Sequence, residues 1–149
     1  MTQVLIVAHA PLASALRAVA AHVYPDRQAG VTAVDIAPSL DPEAAQAQVQ
    51  AAVAALGAGE ILALTDVFGA TPCRAVQAVA SENPRLRVVA GVNVPMLWRA
   101  LCYADQPLDD LVDRAVGGAQ NGVLPIATSR RQNQPSRSVP DDQEHHHDQ

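Results

Sequence analysis

The chain is poor in aromatic residues, has no lysine and carries only two cysteines. Aromatics make up 3% of the 149 residues, so a core has to be built from Ala, Val, Leu and Ile. With no lysine and a formal net charge of −5, the chain lacks the broad positive surface that nucleic acid or an anionic membrane requires. Cys73 and Cys102 have no metal-ligand spacing and form no framework of pairs; two reduced, partly buried thiols are expected. No long hydrophobic run occurs. The N-terminus, Met-Thr-Gln-Val-Leu-Ile-Val-Ala-His, has no basic stretch and its apolar segment is short, so neither a signal peptide nor a membrane span is expected. A cytoplasmic location is the corresponding expectation.

What the chain does have is aliphatic bulk. Hydrophobic residues form 49% of it, enough for one sizeable core, and the length suits one domain. Val4 to Ala8 reads as a buried strand, followed by Pro11 and by Leu12, Ala15, Leu16, Val19 and Val23 at helical spacing. Pro25, Asp26 and Gly30 mark a turn, and Val31 to Ile36 a second strand. Asp41 is placed to cap a helix from Pro42 to Leu56, with Glu43 in its first turn and Gly57 and Gly59 beyond its end. Glu60 to Thr65 is a third strand. Thr71 as cap and Pro72 as first residue open a helix to about Ser81. Arg87 to Ala90 is a fourth strand. Helices are expected over Pro95 to Tyr103 and Leu108 to Val116, the second ended by Gly117 and Gly118.

Strands alternate with helices, and the strands are continuously apolar. Both features predict an α/β fold, a doubly wound, mainly parallel four-stranded sheet with helices on both faces. Gly122 to Ile126 is a last short apolar run that can add an edge strand, on this subunit or on a partner. The domain is expected to span residues 1–127. From Thr128 to the end Ser, Arg, Gln, Asn, Pro and Asp dominate, and a disordered polar tail is expected, its His145-His146-His147 run being an exposed tract.

In an open parallel sheet, ligands bind beyond the C-terminal strand ends, where strand order reverses. The residues there are His9, Pro38-Ser39, Asp66 to Thr71, and Gly91 to Pro95. His22, inside the first helix, is expected to be a surface or packing residue. His9 is a nitrogen nucleophile at a rigid strand end, suited to accept a phosphoryl group if a partner fixes its tautomer. Asp66, at the end of the third strand, is placed to accept an N–H from one ring nitrogen and leave the other free. Gly69, Ala70 and Thr71 then open a helix. Small residues there let backbone N–H groups reach an anion, and the Thr71 hydroxyl can donate to a phosphoryl oxygen. Strand ends supply too few carboxylates and histidines for a metal-dependent hydrolase, and no metal or cofactor is called for.

Three segments carry a resemblance: Val4-Leu5-Ile6-Val7-Ala8-His9, Asp66-Val67-Phe68-Gly69-Ala70-Thr71-Pro72, and Ala90-Gly91-Val92-Asn93-Val94-Pro95-Met96-Leu97. Over about residues 2 to 126 the chain resembles the IIA proteins of the mannose (mannose–fructose–sorbose) family of the bacterial phosphoenolpyruvate-dependent sugar phosphotransferase system. The resemblance implies a phosphotransferase without cofactor. His9 would take a phosphoryl group from the phosphocarrier HPr and pass it to a IIB protein, in a membrane-associated sugar-uptake complex or in regulation. Asp66 matches the orienting carboxylate and Thr71 the hydroxyl near the phosphoryl group. A homodimer with Gly122 to Ile126 exchanged between subunits is implied as well. Two departures are small-for-small: Ala10 where the family often has glycine, and Gly69-Ala70-Thr71-Pro72 where it often has Gly-Gly-Ser-Pro. Some members continue into a IIB domain; the polar tail here implies a separate acceptor. The competing readings are the phosphocarrier subunit of a dihydroxyacetone kinase and a non-catalytic regulatory binding module. The second and third segments favour the mannose type over the first, and the intact His9–Asp66–Thr71 set argues against the second.

Overall fold

The computed structural model describes residues 1–127; the expected polar tail, 128–149, lies outside the described residues. The elements in chain order are β1 (Gln3–His9), α1 (Leu12–Val23), a 3-10 segment (Pro25–Gly30), β2 (Val31–Ile36), α2 (Pro42–Ala55), β3 (Ile61–Thr65), α3 (Thr71–Ala80), β4 (Leu86–Ala90), α4 (Val94–Cys102) and α5 (Leu108–Asn121). The four strands form one all-parallel sheet in the order β2-β1-β3-β4. Val7 pairs with Thr65, and Thr65 with Ala90, so the C-terminal strand ends line up along one edge.

The continuous apolar strands follow from burial on both faces. On one face Val4, Ile6, Ala8, Leu62 and Leu64 pack against Ala13, Leu16 and Ala20 of α1 and against α4 and α5. On the other, Leu5, Val7, Ile61 and Ala63 pack against Ala45, Val49 and Val53 of α2 and Ala75 and Val76 of α3. Alanines at the helix contact positions let the helices approach closely, which is how a core with almost no aromatics fills. Truncating a fully buried strand residue such as Leu64 to Ala would cost about 2–5 kcal/mol.

The helix expected after Pro11 is present as α1, and three other local expectations are corrected. The helical spacing puts Leu12, Ala15, Leu16, Val19 and Val23 on one side of α1, yet the residues turned to the core are Ala13, Leu16 and Ala20. Leu12, Val19 and Val23 stay exposed, because the small side of the helix is the one that fits against the sheet. Thr71 is not the cap of α3; Ala70 holds that position and no side chain caps the helix. Helix α4 begins at Val94, one residue early, because Asn93 caps it by accepting the Met96 N–H at 2.9 Å. Gly117 and Gly118 do not end α5, which runs on to Asn121. Gly118 is there for packing: a Cβ would fall on the Arg99 stem and 3.1 Å from the Pro95 carbonyl oxygen. Beyond α5, residues 123 to 127 form no strand on this chain, and Val123, Leu124 and Ile126 are exposed.

Candidate functional site

The strand order places the reversal between β1 and β3. Helix α1 leaves β1 for one face while α2 and α3 lie on the other, so the crevice expected of a doubly wound sheet opens at the ends of these two strands. His9 is the last residue of β1, and Asp66 follows β3 directly. Although 57 residues apart, they meet. Asp66 Oδ2 accepts the His9 backbone N–H at 2.9 Å and lies 2.7 Å from His9 Nδ1, while Oδ1 accepts the Val67 N–H at 2.9 Å. The His9 side chain is 48% exposed and that of Asp66 only 9%.

Partial burial of Asp66 works against its charge, but the backbone and ring N–H groups of His9 and the N–H of Val67 outweigh it and hold the carboxyl below its ordinary pKa. An ionised carboxylate accepts hydrogen bonds and donates none. The 2.7 Å contact therefore calls for the proton on Nδ1, and in the neutral ring this leaves Nε2 as the lone pair.

The surrounding backbone is fixed by the sheet. The Ala10 N–H donates to Ile36 O at 3.0 Å, and Gly91 N–H to Asp66 O at 3.0 Å. Gly69 takes φ +82, a left-handed conformation that turns the chain from Asp66 into α3 and suits glycine. Ala70 and Thr71 then stand at the start of α3, whose first N–H groups have no side-chain cap. His9 and Asp66 are thus in direct contact, and Gly69, Ala70 and Thr71 form the uncapped helix start in the loop that follows Asp66.

Asp35 is a residue that sequence reasoning misses. It accepts the Ser14 N–H at 3.0 Å and the Ser14 hydroxyl, capping α1 from β2 where Pro11 cannot. The available signal was an acid inside the apolar run Val31 to Ile36. His22 is exposed, as expected of a surface residue. Cys73 is buried and Cys102 exposed, both free. No cluster of metal-ligating side chains, and no helix long and apolar enough to cross a membrane, occurs among the described residues. A hollow of about 570 Å³ lies at the N-terminal ends of β3 and β4, lined by Gln50, Gly57, Asn83 and Arg85, away from His9.

Fold and site together define a doubly wound α/β domain that carries an oriented, surface-exposed imidazole at its switch point. Residues 3–116 match the family described as PTS system fructose IIA component, and the chain belongs to that family. Among curated relatives, the PTS system mannose-specific EIIAB component of Escherichia coli is 31% identical over 99 residues, which is 64% of this chain and 31% of that protein. The PTS system fructose-specific EIIA component of Bacillus subtilis is 38% identical over 55 residues, 36% of this chain and 38% of that one. The matches thus span about a third of the length of these relatives. Among solved structures, the mannose/sorbose specific IIA subunit from Enterococcus faecalis superposes with a TM-score of 0.80 at 24% identity, covering 87% of this chain and 98% of that one. The component EIIA from Streptococcus agalactiae gives 0.75 at 25% identity, covering 84% and 97%. Membership places the chain among the IIA components of the phosphotransferase system.

Proposed function

We propose that the chain is a phosphohistidine carrier in which His9 Nε2 accepts a phosphoryl group from phosphorylated HPr and passes it to a IIB protein or domain or to another protein acceptor. The observation that carries this reading is the 2.7 Å contact between Asp66 Oδ2 and His9 Nδ1. The Nε2 lone pair attacks phosphorus as the bond from phosphorus to the donor's nitrogen breaks, and that electron pair returns to the donor. The Nδ1 proton stays in place. Positive charge develops on the His9 ring, and the Asp66 carboxylate stabilises it. Phosphoryl transfer needs little covalent help, so positioning and electrostatics supply most of the rate. The Thr71 hydroxyl and the backbone N–H groups from Gly69 to Thr71 receive the phosphoryl oxygens at the start of α3. The reaction runs in the cytoplasm and needs no metal or cofactor on this chain.

The working form is a homodimer. β4 is an edge strand, and beside it lies a hollow of about 310 Å³ lined by Val89, Ala90, Met96, Val116 and Val123. An unpaired edge and the exposed apolar residues of 122 to 126 are complementary needs, and exchange of that segment between subunits meets both.

Incubation with enzyme I, HPr and phosphoenolpyruvate should add one acid-labile phosphoryl group, seen by mass spectrometry under mildly alkaline conditions. Replacing His9 with Ala should abolish it, and persistent labelling of that variant would move the site elsewhere. Light scattering should give about twice the 15.6 kDa chain mass; a clean monomer would refute the exchange.

A further inference from the structure

Two arginines converge on one tyrosine, away from the strand ends that hold His9. On α4, the guanidinium carbon of Arg99 lies 6.0 Å from the centre of the Tyr103 ring, and from α5 that of Arg114 lies 4.8 Å from the same centre. The two positive charges are therefore at most about 11 Å apart, close to the screening length in 0.1 M salt, and each feels the other. The ring attracts both guanidinium groups and leaves their edge N–H donors for acceptors in the guanidinium plane. Arg99 is fixed further. Its stem occupies the place that a side chain at Gly118 would take, and Nη1 donates to the Tyr103 hydroxyl at 3.5 Å.

No carboxylate neutralises this pair. Arg27 and Arg87 each meet an aspartate, at 3.2 and 3.0 Å, whereas Arg99 and Arg114 form no ion pair among the described residues. Both line a hollow of about 270 Å³, together with Asp113, Gly117, Gly118 and Asn121. Asp113, the only acid on that wall, is exposed and pairs with neither arginine. Two like charges drawn to one ring at the wall of one hollow call for an anion there. Charge and shape select the kind. A phosphate group carries about −1.5 to −2 near pH 7 and offers three acceptor oxygens. Two guanidinium edges and the Asn121 amide supply a matching charge and three donor groups, where a lone carboxylate would balance only one arginine. The volume lies below the range typical of drug-sized ligands, which suits phosphate itself or a small phosphomonoester.

We propose that Arg99, Arg114 and Asn121 form a phosphate-binding site between α4 and α5, which takes free phosphate or the phosphate group of a small phosphomonoester. The hollow shares no residue with His9, Asp66 or the start of α3, so this inference stands apart from the reading of His9 as a phosphoryl acceptor.

The test is calorimetric titration of the full chain with inorganic phosphate and with glycerol 3-phosphate, accompanied by amide-resolved NMR. At least one probe should bind one to one with a Kd of about 1 mM or tighter, and should move the Gly117, Gly118 and Asn121 amides. Arg99→Gln and Arg114→Gln should each weaken binding about tenfold or more, Arg114→Lys should recover part of the loss, and added NaCl should weaken binding in the wild type. Both arginines are exposed, so melts without phosphate should stay close to wild type, while phosphate should raise the wild-type Tm and leave that of the double Gln variant unchanged. Arg17→Gln, on α1 and outside the hollow, should bind as the wild type does, and so should His9→Ala. Tighter binding of glycerol 3-phosphate would assign the site to a phosphomonoester, and tighter binding of inorganic phosphate to the free ion; either supports the proposal. No saturation by about 10 mM of either probe would overturn it. So would wild-type affinity in both Gln variants, acetate binding as tightly as phosphate, or amide shifts confined to His9 and residues 69–71. Loss of phosphoryl transfer to His9 would leave this site untouched and fail only the acceptor reading.

Discussion

On the proposed mechanism, replacing Asp66 with Asn isolates the group that orients His9 for attack. The carboxylate accepts three hydrogen bonds, from the His9 N–H and ring Nδ1–H through Oδ2 and from the Val67 N–H through Oδ1. Asn has one acceptor oxygen and one NH₂ donor, so no orientation satisfies all three. With its oxygen toward His9, the NH₂ faces the Val67 N–H and two donors collide. With the NH₂ toward His9, the backbone N–H loses its acceptor and Nδ1 becomes an acceptor, which moves the ring proton to Nε2 and removes the lone pair that attacks phosphorus. The first orientation keeps the tautomer but loses the negative charge that stabilises the developing imidazolium. Hydrogen bonds to a charged group contribute about 1.5–3 kcal/mol each. Loss of one such term together with the wrong tautomer should slow transfer by about a hundredfold or more, since each 1.36 kcal/mol is tenfold. The assay is single-turnover transfer from phosphorylated HPr, with nitrogen-resolved NMR of the imidazole and of the phosphohistidine. The wild type should carry its proton on Nδ1 and its phosphoryl group on Nε2. A wild-type rate in the Asn variant, or a phosphoryl group on Nδ1 in the wild type, would reduce Asp66 to a turn residue.

The same carboxylate has a pH signature. Its folded pKa is depressed, so its contribution to stability is complete above the unfolded value of about 3.9 and is lost as pH falls through the lower folded value. In urea melts the stability gap between wild type and Asp66→Asn should stay constant from pH 7 to about 5 and shrink below about 4; a gap that widened in acid would contradict the assignment. Thr71→Ala should slow transfer about tenfold to a hundredfold, the scale of one hydrogen bond to a charged group, with the melt unchanged. The two glycines of α5 should respond oppositely. Nothing lies within 4 Å of a Cβ built on Gly117, so Gly117→Ala should stabilise by about 0.5–1 kcal/mol. Gly118→Ala should destabilise by about 1–3 kcal/mol as the new methyl meets the Arg99 stem and the Pro95 carbonyl, and equal effects would remove the packing explanation. Thr65, fully buried in β3, has a hydroxyl without a hydrogen-bond partner among the described residues. Thr65→Val keeps the shape and should leave chemical stability unchanged or raise it by about 1 kcal/mol, whereas a clear loss would reveal a partner for that hydroxyl.

Periodicity and punctuation made much of this molecule legible in one dimension. Continuous apolar runs such as Val4 to Ala8 and Ile61 to Thr65 specify buried parallel strands, because alternation would be visible if either face met water. Asp41 before Pro42 specifies a helix start, and its side chain does accept the Ala44 N–H at 2.7 Å. The strand-end rule singles out His9 and Asp66 from the sequence alone. Where local signals misled, the competing contact was tertiary. Gly117 and Gly118 look like a stop signal, but α5 continues because its neighbour α4 lies too close for a side chain at Gly118. Thr71 looks like a cap, yet the chain enters α3 through Ala70. Leu12, Val19 and Val23 look like a core face, and which side of an amphipathic helix turns inward depends on the surface it meets. The pairing of His9 with Asp66 is of the same kind. The sequence determined that each would stand at the end of a strand; only the parallel pairing of β1 with β3, which brings together residues 57 apart, decided that one carboxylate oxygen would hold both the backbone and the ring of the histidine.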